Sequence, residues 1–246
     1  MAGMNLEKGK LDIRDFAFEA KNEIEKMPDR VDLRPIIRRN AYDQGDIGSC
    51  TANALAGAIQ FLDGKARRRS ARPSRLFSYY FGRQVIGLTQ EDSGAYIRDI
   101  VKMANKVGLV RERDWEYKLV NVFRTPPLEL VATAETRRIT KYERIEDGSF
   151  EEMKRCLADG FPFIAGMIVY NESWDRAEKV GYMNLFFGDT VKGGHAVLVV
   201  GYDESKQAFL CRNSYGKKWG IDGHFWLEYG YAADKTKVWD CWVVRE

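Results

Sequence analysis

Histidine is nearly missing from this chain: two of 246 residues, His195 and His224, carry an imidazole. Acid–base chemistry near neutral pH must fall to one of them, and a centre built on several histidines is excluded. Cysteine is sparse as well. Cys50, Cys156, Cys211 and Cys241 lie far apart with no C-x-x-C pair, so a zinc site is not expected, and a chain of this length needs no disulfide framework. No run reaches the roughly 18 to 20 apolar residues that cross a bilayer. The first fifteen residues, MAGMNLEKGKLDIRD, lack the apolar core of a secretory signal. These absences lead us to expect a cytoplasmic protein without a membrane partner. Excess charge is missing too: 39 Lys and Arg face 36 Asp and Glu, a net +3, which is no nucleic-acid signature. The one basic run, residues 65 to 75, has no aromatic residue interleaved and reads as a solvated loop rather than a nucleic-acid surface.

What is present suffices for a sizeable core, with 45% hydrophobic and 13% aromatic residues. There is no internal repeat or flexible linker, so any second lobe must pack closely on the first. Residues 51 to 63, TANALAGAIQFLD, place Ala54, Leu55, Ala58, Ile59 and Leu62 at helical spacing, and Gly64 supplies a stop signal. A second helix is expected from Tyr96 to Lys106, with Ile97, Ile100, Val101 and Ala104 on one face. Ser149 and Glu152 form a candidate capping box for a third, which points Met153, Cys156 and Leu157 inward. Cys156, Cys211 and Cys241 read as buried free thiols. Later segments change period: FPFIAGMIVY (161–170), HAVLVVGY (195–202), QAFLCRNS (207–214), GHFWLEY and VWDCWVV are short, β-branched or aromatic runs bounded by turn residues. Helices followed by antiparallel strands give an α+β class with a helical half facing a β half.

Gln44-Gly-Asp-Ile-Gly-Ser-Cys50 stands just before the first strong helix. A cysteine there sits at the positive end of the helix dipole, which favours thiolate, the nucleophilic form. The unpaired first N–H groups of the helix can face a developing oxyanion, and the Gln44 amide offers a second donor. A base is needed. His195 follows Gly193-Gly194 at the start of an apolar strand, whereas His224 lies in an alternating strand and reads as an ordinary surface residue. Asn213, 18 residues after His195, ends a strand that can return beside it and orient the imidazole. Alone, Asn213-Ser214 would be turn punctuation, but Tyr215 and Trp219 follow as candidate aromatic shields of an Asn–His bond.

Taken together, these segments resemble the papain and cathepsin family of cysteine peptidases over residues 31 to 246. The family's Gln-Gly-x-x-Gly-Ser-Cys block is matched by Gln44 through Cys50, its Gly-His-Ala-Val strand by Gly194 through Val197, and its Asn-Ser-Trp-Gly-x-x-Trp-Gly block at Asn213, Ser214, Gly216, Trp219 and Gly220. The resemblance implies a two-lobed papain-like fold, with a helical lobe at about 40 to 125, a β lobe at about 126 to 246 and the site in the cleft between them. It implies no cofactor and no metal, with a peptide or protein as substrate. It implies catalysis by Cys50, His195, Asn213 and Gln44 through a thioester. Ser93-Gly94 resembles the paired glycines that bind substrate backbone, and Gly166, Gly194 and Ala196 are expected to line an apolar pocket, which the two glycines would widen. Thr51 and Tyr215 stand where the family usually has Trp. Ile47 replaces the cysteine that many secreted members carry three residues before the nucleophile, so that disulfide cannot form, which suggests an intracellular, prokaryotic or viral type. Members that trim C-terminal dipeptides use an added histidine pair, and one spare histidine favours an endopeptidase instead. A peptide-binding or transpeptidase relative with the same thiolate site is the alternative. The polar residues 1 to 30 read either as a tail or as a segment that lies in the cleft and inhibits the enzyme.

Overall fold

The structure is a computed structural model that describes residues 4, 6–9, 12, 15–20, 26–68 and 72–246. The sequence organises around one long buried helix and one long strand. After β1 (Arg30–Asp32) and the short α1 (Arg34–Ile37), α2 runs from Cys50 to Lys65. Every residue of α2 from Cys50 to Asp63 is buried. A helix apolar on all sides belongs in the middle of a protein, and α2 lies there, between other helices and the sheet. Among its polar side chains, Asn53 Nδ2 donates to the Ser49 carbonyl (2.9 Å) and Asp63 pairs with Arg137 (2.7 Å), whereas Thr51 Oγ1 and Gln60 Nε2 are buried without a partner among the described residues. Next come α3 (Arg75–Val85), started by Ser74, whose hydroxyl accepts the Phe77 N–H, and α4 (Ile97–Lys106). The expected inner face of α4 is buried: Ile97, Ile100, Val101 and Ala104 are at most 1% exposed.

The second part is the sheet. After α5 (Leu128–Ala134), β2 (Lys141–Ile145), α6 (Phe150–Ala158), β3 (Phe163–Tyr170), α7 (Asn171–Val180) and β4 (Tyr182–Met183) comes the 13-residue β5 (Val191–Asp203). It is followed by β6 (Ala208–Arg212), β7 (His224–Glu228), α8 (Tyr229–Ala232) and β8 (Val238–Arg245). The strand order is β2-β8-β3-β5-β6-β7-β4, with β1 also on β5. All pairings are antiparallel except β4 with β7. In the β3–β5 register Met167 faces His195 and Gly166 faces Ala196. This is the expected two-lobed α+β arrangement, and α2 packs directly on β5. Cys156, Cys211 and Cys241 are free and buried, as expected.

Two local readings need correction. Gly64 does not stop α2, which continues to Lys65. It makes room instead: a Cβ at Gly64 would lie 2.0 Å from the Ile36 carbonyl oxygen. Ser149 stands at the N-cap of α6 but its side chain makes no capping bond, and Glu152 accepts the Glu146 N–H (2.9 Å) instead. The glutamate therefore braces the loop before the helix rather than the cap itself.

Helix propensity alone favours alanine over glycine inside a helix by about 1 kcal/mol. The Ile36 carbonyl reverses that preference at position 64. Gly64→Ala is expected to lose about 1–3 kcal/mol of stability through overpacking, seen as a lower urea midpoint at unchanged m-value.

Candidate active site

Cys50 is the first residue of α2, and its sulfur lies against the backbone N–H groups of Ala196, Thr51 and Cys50 itself. The residue before it, Ser49, spends no side-chain bond on capping. Its hydroxyl pairs with Tyr117 Oη (2.6 Å) and accepts from Asn53 Nδ2 (3.0 Å). The first helical N–H groups thus stay directed at the sulfur side.

His195 is fully buried on β5. Its Nε2 is 2.8 Å from Asn213 Oδ1. The Ser214 N–H also points at Asn213 Oδ1 (2.8 Å), so the amide presents its oxygen to the ring and Nε2 must carry the proton. That tautomer leaves a lone pair on Nδ1, which is buried without a hydrogen-bond partner among the described residues. Nδ1 is therefore the nitrogen available to the neighbouring thiol.

Gln44 is 1% exposed and locked in place. Its N–H donates to the Ser214 carbonyl (2.9 Å) and its carbonyl accepts from Tyr117 Oη (2.9 Å). Nε2 donates to the Ile47 carbonyl (2.9 Å), and Oε1 accepts from the Ser214 hydroxyl (2.5 Å). One Nε2 hydrogen is spent on Ile47, which leaves the other for an oxyanion. Ser214, read from sequence as turn punctuation, joins the oxyanion donor to the histidine's partner. Its contribution was hidden because a serine in a turn carries no signal of what its hydroxyl reaches.

Aromatic rings wall the pair. Tyr215 lies 5.3 Å from the His195 ring, and Trp219 lies 6.0 Å from Tyr215. Trp174 on α7, absent from the sequence reading, is 5.3 Å from the His195 ring and 4.8 Å from Trp219, and it is 2% exposed. His224 is not a surface residue: it is 8% exposed, with Nδ1 at the Asp222 carbonyl (2.9 Å). It opens β7 against Arg212, where strand alternation no longer decides exposure because this face is covered too.

The expected substrate side is partly occupied. A Cβ on Gly166 would meet Trp239 Nε1 at 3.1 Å and Ile97 Cδ1 at 3.2 Å. Gly166 therefore does not widen a pocket; it leaves space for Trp239, a wall residue that sequence reading missed. Ala196 is buried beside the Cys50 sulfur. The Gly94 N–H already donates to Tyr79 Oη (3.0 Å), and the Ser93 hydroxyl bonds the Gly94 carbonyl (3.0 Å). Gly194 is covered by the N-terminal segment. Its N–H donates to the Met4 carbonyl (3.0 Å) and its carbonyl accepts the Leu6 N–H (3.3 Å). Leu6 is 7% exposed, and a Cβ on Gly194 would lie 1.8 Å from its carbonyl oxygen. The segment continues along the surface: Tyr96 Oη reaches Glu7 (3.2 Å), Lys8 pairs with Asp147 (2.9 Å), Gly9 N–H donates to Asp240 (2.7 Å), and Arg98 holds Asp15 (2.7 Å). Beside it an open cavity of about 730 Å³ is lined by Leu6, Lys8, Ile168, Asp147 and Trp239.

Under this cover the electrostatics run against the expectation from helix position. Burial pushes the Cys50 thiol up to about 11 although three backbone N–H groups favour the thiolate, and the Asp92 carboxylate adds to the rise. Burial likewise takes His195 down to about 4, against the favourable Asn213 bond. Both shifts favour the neutral forms, because desolvation by burial works against the charged ones.

Asn213→Ala should leave the imidazole free to rotate and to choose either tautomer. We expect kcat to fall about 10- to 100-fold with KM nearly unchanged, in steady-state kinetics on a fluorogenic peptide.

Comparison with known proteins agrees with this geometry. The family model described as papain family cysteine protease matches residues 27–241. An uncharacterized peptidase C1-like protein of Acanthamoeba polyphaga mimivirus is 38% identical over 229 residues, covering 87% of this chain and 74% of its own. The crystal structure of xylellain, a cysteine protease from Xylella fastidiosa, superposes with a TM-score of 0.93 at 38% identity, over 99% of this chain and 96% of that one. A digestive procathepsin L 3 from Tenebrio molitor larval midgut is alike in fold alone (TM-score 0.73, 16% identity, 95% and 75% covered). With Cys50 at the head of α2, His195 on β5 and Asn213 beside it, the chain belongs to the papain family and is a cysteine peptidase.

Proposed function

We propose that Cys50 and His195 carry an endopeptidase reaction and that the N-terminal segment holds it latent. The observation that carries the first part is the buried Nδ1 of His195, left without a partner once Nε2 is committed to Asn213. In the reaction, Cys50 Sγ–H gives its proton to Nδ1 as sulfur attacks the scissile carbonyl carbon. The oxyanion is received by the Cys50 N–H and the second Nε2 hydrogen of Gln44. The Nδ1 proton passes to the leaving amine nitrogen, the C–N bond breaks and a thioester remains. Water then loses a proton to Nδ1 and attacks the thioester carbonyl. The C–S bond breaks, and the proton returns to Cys50. Cleavage within chains, rather than trimming of C-termini, is supported by the second histidine: His224 is packed against the Asp222 carbonyl rather than set in a loop over the cleft.

Latency is supported by backbone pairing at Gly194, one residue before the base. A peptide pairing there would compete with Met4 and Leu6. The segment is held by Leu6 burial and by ion pairs at Lys8 and Arg98. The procathepsin neighbours are proforms by name, and this chain's cover is read in the same sense.

Cys50→Ala is expected to abolish peptide cleavage. Leu6→Asp combined with Lys8→Glu should unseat the cover without shortening the chain. Initial rates on a fluorogenic peptide, and labelling of Cys50 by an epoxide inactivator followed by mass, should then rise several-fold. Unchanged rates in a variant that is still folded and has an unaltered far-UV spectrum would count against latency.

A further inference from the structure

The loop that carries the nucleophile and the loop on the substrate side are tied together by a carboxylate. Asp92 accepts the Gly48 N–H on both oxygens, at 3.1 and 3.0 Å. Tyr79 Oη donates to Asp92 Oδ1 at 2.5 Å, and the same hydroxyl accepts the Gly94 N–H at 3.0 Å. One carboxylate and one phenol thus join position 48, two residues before Cys50, to position 94. The post on which they stand is rigid. Tyr79 is fully buried on α3. The Arg83 guanidinium stacks 4.1 Å from its ring and bonds the carbonyls of Glu91 and Val122, which holds the loop before Asp92 as well. Gly48 fits the arrangement, since a Cβ there would press on Asp92 Oδ1 at 3.2 Å.

We propose that Asp92 is a positioning residue of this peptidase. With Tyr79 it fixes the Gln44–Cys50 loop relative to the Gly94 loop. The need is geometric. The oxyanion donors belong to one loop and the substrate backbone is received at the other, and a misplacement near 1 Å between reacting groups costs about 100-fold in rate. A carboxylate suits this junction because its bonds are charge-assisted and it can accept from several donors at once. The Asp92 carboxylate makes no hydrogen bond to the sulfur; it holds the loops through Gly48 and, by way of Tyr79, Gly94, besides its charge effect on the Cys50 thiol.

The test compares Asp92→Ala, Asp92→Asn, Tyr79→Phe and the double variant Asp92→Ala/Tyr79→Phe in the full chain. kcat and KM on a peptide substrate, the alkylation rate of Cys50 by iodoacetamide and the urea midpoint are all measured. Asp92→Ala should lower kcat/KM about 10- to 100-fold, with KM rising and kcat falling, because both loops loosen. Asp92→Asn keeps an oxygen for the Gly48 N–H and the Tyr79 hydroxyl, and should recover most of the loss. The double variant should be no worse than the poorer single one, since both changes break one brace. Alkylation by the small reagent, which does not use the substrate loop, should hold or rise. The proposal is overturned if Asp92→Ala stays within about twofold of the parent, if the two losses multiply, if Asn is no better than Ala, or if alkylation falls in step with kcat/KM.

Discussion

The site depends on one meeting of backbone, where the N-terminus of α2 is held against β5 so that the Cys50 sulfur rests under the Ala196 N–H, one residue from the base. Neither partner has room to shift. α2 is buried on every face, and β5 is clamped between β3 and β6 with β1 across its far end. Placing the nucleophile and base on the two most constrained elements is what lets a proton pass between them without a search. Ser214 extends that order to the other two groups. Its N–H fixes the face of the Asn213 amide, and its hydroxyl fixes that of Gln44. The tautomer of His195 and the direction of the oxyanion donor are therefore set by a single residue that touches neither sulfur nor substrate.

That rigidity has an electrostatic counterpart. A helix terminus favours a thiolate by a few tenths to about 2 kcal/mol, whereas drying the thiol works against it more strongly. Burial opposes that preference, pushing the Cys50 thiol up and the His195 imidazole down, both toward the neutral forms. The resting pair is still competent in its bookkeeping of protons: the thiol holds the one that Nδ1 must take. On the proposed latency, what the cover would remove is access, and with it the water and substrate dipoles that support charge separation during attack.

Much of this was legible in the residues. The glutamine-to-cysteine block, the Gly-His strand and the Asn-Ser turn are short stretches whose chemistry is local, so their order along the chain carried the reaction, while the change from helical to strand periodicity carried the α+β class. The misreadings share a different cause: each concerned what a residue meets across the fold. Gly64 looked like a helix stop because sequence cannot show the Ile36 carbonyl lying 2.0 Å from where its Cβ would be. Gly166 looked like open space until Trp239 and Ile97 filled it. Asp92 and Tyr79 sit 13 residues apart in a stretch with no motif, and only their convergence on Gly48 and Gly94 gives them a role. The helix position of Cys50 was read correctly and its N–H groups do favour the thiolate, but the opposing burial, which depends on what packs around the sulfur, could not be read from sequence.

The cover and the brace are built from interactions of different strength, and that difference suits their tasks. The brace joins a fully buried phenol to a carboxylate that accepts from two donors, the Tyr79 hydroxyl and the Gly48 N–H on both oxygens, an arrangement with little freedom to open. The N-terminal segment is attached by the half-exposed pair of Lys8 with Asp147, which contributes at most about 1 kcal/mol, by the more buried pairs of Arg98 with Asp12 and Asp15, and by the burial of Leu6, worth about 1.5–3 kcal/mol. A closure stabilised by a few kcal/mol leaves only a small open population, which weakens the apparent affinity for a competing peptide by that fraction. A substrate that pairs with Gly194 and fills the space of Leu6 replaces most of what it displaces. On the proposed latency, such a cover would slow the enzyme at low substrate concentration and yield at high concentration, while the loops beneath it stay in register.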